Sequence, residues 1–174
     1  MKLRYISLFA IASIFTVGIA AQSYTQSSPG AQEPISNHAP VDRYASATKH
    51  PAVYSANNLA IEGSDPVAYF TQSRAVIGSA QFKHEWNGAT WHFASAANRD
   101  KFAANPSQYA PQYGGYCAFA VSRDYLAPID PEAWKIHEGK LYLNYSKGVQ
   151  AQWSRDITGN IAKGDRHWPA ILNR

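Results

Sequence analysis

Residues 82–93 read FKHEWNGATWHF, and the fold is decided there. Asn87-Gly88 is the strongest two-residue signal for a tight hairpin turn, because both positions tolerate positive φ. That turn predicts Trp86 opposite Ala89, His84 opposite Trp91 and Phe82 opposite Phe93. Side chains alternate faces along a strand. Phe82, His84, Trp86, Trp91 and Phe93 therefore share one face, while Lys83, Glu85, Thr90 and His92 share the other. The aromatic face is the expected core side. His84 lies on it, where a packed histidine bonded to backbone is the plain alternative to a ligating one.

Further out, residues 134–145 read as a second hairpin about Glu138-Gly139, with Trp134, Ile136, Leu141 and Leu143 facing inward. Asn57 to Ile61 reads as a short strand. Capping residues mark the helix starts. Ser64-Asp65-Pro66 precedes a short helical turn at Val67–Phe70, with proline at the first helical position. Ser95 precedes a helix to about Ala104, ended by Asn105-Pro106. Asp130-Pro131-Glu132 repeats the cap-and-proline pattern, and Ser146 precedes a helix to about Asp156. Residues 157–172 form a loose helical closing segment. Hairpins interleaved with helices predict one small α+β domain over residues 52–174, its two hairpins forming an antiparallel sheet packed by short helices.

Between the hairpins lies NPSQYAPQYGGYCAFAV, residues 105–121. Pro106 and Pro111 stiffen the approach to Gly114-Gly115, where the backbone is free to take positive φ. Cys117, Phe119 and Val121 then alternate with Ala118 and Ala120, as in a buried strand or a tight turn entering one. Cys117 is the only cysteine in the chain.

The 174 residues, 45% of them hydrophobic, suffice for one domain with a real core. At the start, Lys2 and Arg4 precede an apolar run from Ile6 to Ala21 that ends in small residues. Residues 1–21 thus read as a secretory signal peptide cleaved after Ala20 or Ala21, leaving no membrane span. Residues 22–51, poor in large apolar side chains, read as a flexible tether. Cleavage leaves 14 basic against 12 acidic residues of the original 16 and 12. The basic residues are scattered, which argues against nucleic acid as a partner. Export places the chain in the periplasm or outside the cell, an oxidising setting where a lone cysteine has no internal partner. No glycine-rich phosphate loop, His-Glu-x-x-His or Gly-x-Ser-x-Gly occurs.

The runs GSDPVAYF (63–70), WNGATWHFASAANRDKF (86–102), NPSQYAPQYGGYCA (105–118) and GKLYLNY (139–145) resemble exported proteins of the YHS domain family, over roughly Asn58 to Pro169. The resemblance implies a YHS-like α+β domain. It also implies metal binding, which short members achieve through cysteines at positions that read Ala68, Ala94 and Asn98 here. Cys117 is similar to the cysteine of a Gly-Gly-x-Cys-Ala element in the long members.

Two functions follow. One is a module that handles or senses a soft transition metal such as copper, with Cys117 and His92 or His84 as ligands, since thiolate and imidazole select copper(I). The other is a metal-free pocket for a small molecule or a protein partner, in which Tyr109, Tyr113 and Tyr116 crowd the glycine bend. The expected cleft lies between the Asp65-Pro66 turn, the helix start at 94–98 and the bend at 114–117, lined by Asp65, Asn98, Tyr113, Gly114, Gly115 and Tyr116. An enzyme is not expected: a nucleophilic Cys117 needs an activating partner, and neither Cys-x-x-Cys nor a Cys-His-Asn set is evident.

Overall fold

A computed structural model describes residues 48–174. The signal peptide and residues 22–47 of the expected tether lie outside the described residues. Strands β3 (Ser79–Trp86) and β4 (Ala89–Phe93) form the first hairpin. Asn87 and Gly88 take φ of 51° and 75°, the turn that matches the twist of the flanking strands. Trp86 pairs with Ala89 and His84 with Trp91, as the sequence predicts. The expected Phe82–Phe93 pair does not form. The register shifts between Ser79 and Lys83, so that Phe93 faces Ser79. Ser79 Oγ accepts from Gln81 N at 3.2 Å, a local bond that diverts this amide from the ladder.

Two short strands, β1 (Ser55–Ala56) and β2 (Leu59–Ala60), turn at Asn57-Asn58 and complete a four-stranded sheet in the order β1-β2-β4-β3. The β2–β4 pairing, Leu59 with Thr90, is parallel, so the sheet is mixed. The second hairpin, β5 (Asp130–His137) and β6 (Lys140–Asn144), stands as a sheet of its own. Its inner pairs are Trp134 with Leu143 and Ile136 with Leu141. The two hairpins therefore do not share one antiparallel sheet. Asp130-Pro131-Glu132 opens a strand, not a helix. Asp130 Oδ1 accepts from Glu132 N at 2.9 Å, a turn closed by the side chain that leads into β5.

Helices fill the gaps. They are α1 (Pro66–Gln72), α2 (Ala96–Ala104), α3 (Pro106–Tyr109), α4 (Ala118–Val121), α5 (Lys147–Trp153) and α6 (Ile157–His167). Ser95 and Ser146 cap α2 and α5 as expected. Residues 117–121, expected as a strand or the turn into one, form the short helix α4 instead. Four residues of Ala, Phe and Val satisfy either period, and the bond from Val121 N to Cys117 O closes the helical one.

Phe102 of α2, fully buried, is ringed by Trp86, Trp91 and Phe93, with centroids 5.0–5.7 Å away. Burying one such side chain contributes about 1.5–3 kcal/mol. Tyr69 ties this half to the second hairpin: its ring meets Trp134 edge-on and its hydroxyl donates to Pro131 O at 3.0 Å. A second cluster gathers Tyr113, Tyr142, Trp153 and Trp168. Among the described residues no helix is long and apolar enough to cross a membrane.

Candidate functional site

Asp65 caps α1 and is fully buried. Its Oδ1 accepts from Val67 N at 2.8 Å and Ala68 N at 3.3 Å. Its Oδ2 accepts from Ala94 N at 2.9 Å and Asn98 Nδ2 at 2.7 Å. The carboxylate thus sits among Ala68, Ala94 and Asn98, the three positions at which the resemblance implies cysteine ligands. The sequence correctly brings Asp65 and Asn98 together, but as a closed knot, not a pocket. With methyl groups in place of two thiols and all four donors already supplied from within, these residues do not fit a metal ion.

The bend that follows turns on three successive positive-φ residues, Tyr113 (56°), Gly114 (60°) and Gly115 (84°). A Cβ on Gly115 would lie 2.6 Å from Ile61 Cγ2, which explains the residue type there. Tyr113 is driven into the second cluster, and its hydroxyl donates to Asp165 Oδ1 at 2.9 Å. Tyr116 is buried and pins the incoming chain through its hydroxyl, which donates to Pro51 O at 3.0 Å. Both tyrosines therefore hold the bend in place.

Burial, and for Tyr113 also the Asp165 carboxylate, raises the ionisation of both above the ordinary tyrosine value of 10. Burial pushes Tyr54 and Tyr142 to about 12, assisted by Glu62 and Asp165 respectively. The folded state holds these protons more tightly, so their contribution to stability is complete below pH 10 and lost as pH rises through 12. In an alkaline titration, tyrosinate absorbance is expected to rise in two stages, the later coinciding with loss of near-ultraviolet circular dichroism. A single stage near pH 10 with the fold intact would contradict this.

The expected cleft does not form: two separate cavities flank the bend, and neither is lined by Asp65, Asn98, Gly115 or Tyr116. On one side Tyr113 and Gly114 open onto a cavity of about 370 Å³ that also reaches Trp86, Asn87, Gln112 and Trp168. On the other, Cys117 lines a cavity of about 390 Å³ together with Phe119, Ala120, Ala127, Val149 and Gln152. Tyr125 and Tyr145, also in its lining, are 53% and 56% exposed, two large apolar side chains kept at the surface.

The Cys117 side chain is itself 1% exposed. Tyr145 N donates to its Sγ at 3.3 Å, and Asn144 Oδ1 lies 4.0 Å from the sulfur. Phe119 N donates to that same Oδ1, while Asn144 Nδ2, fully buried, finds no acceptor among the described residues. No histidine lines the Cys117 cavity. His84 stacks edge-on against Phe102 at 6.2 Å, and the backbone of His92 lies against Gly78. Among the described residues no group of three or more His, Cys, Asp or Glu side chains is placed to hold a metal ion.

Sequence reasoning missed Ala127, Tyr125 and Gln152, which carry no motif and reach the cavity only through tertiary packing. Asn144 was within reach, since it lies in the GKLYLNY run.

Fold and site together define a small α+β domain built on two hairpins and an Asp-centred knot. The family model for the YHS domain matches residues 67–113 of this chain. The matched stretch runs from α1 to the bend and stops short of Cys117. Neither the curated proteins nor the solved structures give a match to this chain.

Proposed function

We propose that this chain is an exported, non-enzymatic binding module whose ligand is a small, largely apolar organic molecule held in the cavity beside Cys117. The observation that carries the reading is the cavity itself: about 390 Å³, with alanines at its wall and two exposed tyrosines in its lining. That volume is within the range of small-molecule sites, about 300–1,000 Å³, which are typically apolar with a few polar groups. The lining residues that carry polar groups are Gln152, Cys117, Tyr125 and Tyr145. That no imidazole lines the cavity beside the thiol supports a binding role over a catalytic one.

The copper reading rests on the metal association of YHS domains and on Cys117 as a soft donor. Copper(I) favours at least two soft donors, and the amide and phenol groups near Cys117 are poor substitutes for an imidazole.

Two titrations separate these readings. Anilinonaphthalene sulfonate is expected to bind the wild type saturably and to bind Ala127→Trp at least tenfold more weakly, since the indole fills the cavity. Anaerobic copper(I) titration against a chelator is expected to give the same stoichiometry for wild type and Cys117→Ser. Dye binding untouched by Ala127→Trp overturns the cavity reading; copper affinity lost in Cys117→Ser establishes the metal one.

A further inference from the structure

We propose that the cavity on the other side of the bend is a second site, built for a neutral pyranose ring. It lies where four separate segments converge: the entering chain at Ala52-Val53, the first hairpin's turn at Trp86-Asn87, the stretch from Ser107 to Gly114, and the closing segment at Trp168-Leu172. None of its lining residues is Asp, Glu, Lys, Arg or His. Nothing there offers a counter-charge to a phosphate, a carboxylate or an ammonium group, and burying an ion without one is costly. The ligand is neutral.

Its polar groups are uncommitted. Among the described residues the side chains of Asn87, Ser107 and Gln112 in this lining make no hydrogen bond across to it; Asn87 and Ser107 are exposed and Gln112 half-buried. By contrast Trp91 Nε1 already donates to Trp86 O at 3.1 Å, and Tyr113 is held by Asp165. The two half-buried indoles, Trp86 and Trp168, supply the apolar faces. Amide and hydroxyl groups beside indole faces suit a ring that has C–H faces and hydroxyl edges.

Each indole stands at an angle to its aromatic neighbour in the wall. Trp86 is tilted 58° to Trp91, and Trp168 63° to Tyr113. The volume, about 370 Å³, is at the small end for ligand sites and fits a single ring better than an extended chain.

Saturation-transfer NMR with methyl glycosides of glucose, galactose and N-acetylglucosamine, and with adenine as the flat control, tests the proposal. A glycan array distinguishes a free sugar from the terminal residue of a glycan. At least one neutral glycoside is expected to bind saturably and adenine not to bind. Asn87→Gly, which keeps the positive-φ turn, and Gln112→Ala are each expected to weaken binding about five- to tenfold. Ala127→Trp, in the other cavity, is expected to leave it unchanged. The proposal is overturned if no glycoside binds, if adenine binds in their place, or if neither Asn87→Gly nor Gln112→Ala changes the affinity.

Discussion

Asp65→Ala is expected to cost about 4 kcal/mol or more, a large share of the stability of a domain this size. The substitution removes the acceptor of three backbone N–H groups and one side-chain amide at once, all within a fully buried knot. Each buried donor left unpaired costs about 1–3 kcal/mol, and loss of the helix cap alone about 1 kcal/mol. Domains of this size have about 5–15 kcal/mol in total. Asp65→Asn is expected to fall between, at about 2–3 kcal/mol. Its one remaining oxygen keeps the α1 cap, but its NH₂ then faces the donors of Ala94 and Asn98. Urea unfolding followed by tryptophan fluorescence checks both, with and without a chelator. A loss under 1 kcal/mol for Asp65→Ala would show the knot to be dispensable. A loss that appears only when metal is present, and vanishes with the chelator, would return Asp65 to the role of ligand.

What the sequence discloses here follows how local the interactions are. The first hairpin is legible because Asn87-Gly88 and a period of two lie within twelve residues, and the register holds wherever that pattern alone decides it. It fails at Phe82, where the Ser79 side chain competes for the ladder. The separation of the two sheets is not legible, since nothing in either hairpin says which strand edge it seeks. The Asp65–Asn98 contact is legible through the resemblance, because helix caps fix both ends of the knot. The cavities are the opposite case. Cys117 meets Tyr145 and Ala127 through loop packing, and Trp168 meets the bend from the far end of the chain, with no repeating pattern to announce either. The alternation at 117–121 misleads for a physical reason: small residues in so short a run satisfy a strand and a helical turn equally.

Gly114→Ala is expected to destabilise the protein by about 3 kcal/mol or more, and Gly139→Ala by only about 1 kcal/mol. Both glycines have positive φ, 60° and 72°, so both alanines incur the left-handed backbone strain of about 1–2 kcal/mol. They differ in what the new methyl meets. At Gly139 there is nothing within 4 Å. At Gly114 the Cβ would lie 2.0 Å from Ala52 O and 3.1 Å from Trp168 Cη2, closer to the oxygen than any carbon can stand. The segment 52–54 is docked through Tyr54 N, which donates to Gly114 O at 2.9 Å, and through Val53, which is 2% exposed. Relieving the clash moves that segment off the bend and uncovers Val53. The gap between the two variants, read as the difference in urea midpoints at constant slope, therefore measures the close approach alone. Equal midpoints would mean that the bend tolerates a side chain and that the glycine serves only the turn. A large gap identifies Gly114 as the point where the entering chain, the bend and Trp168 are held together, three of the four segments that wall the proposed pyranose site.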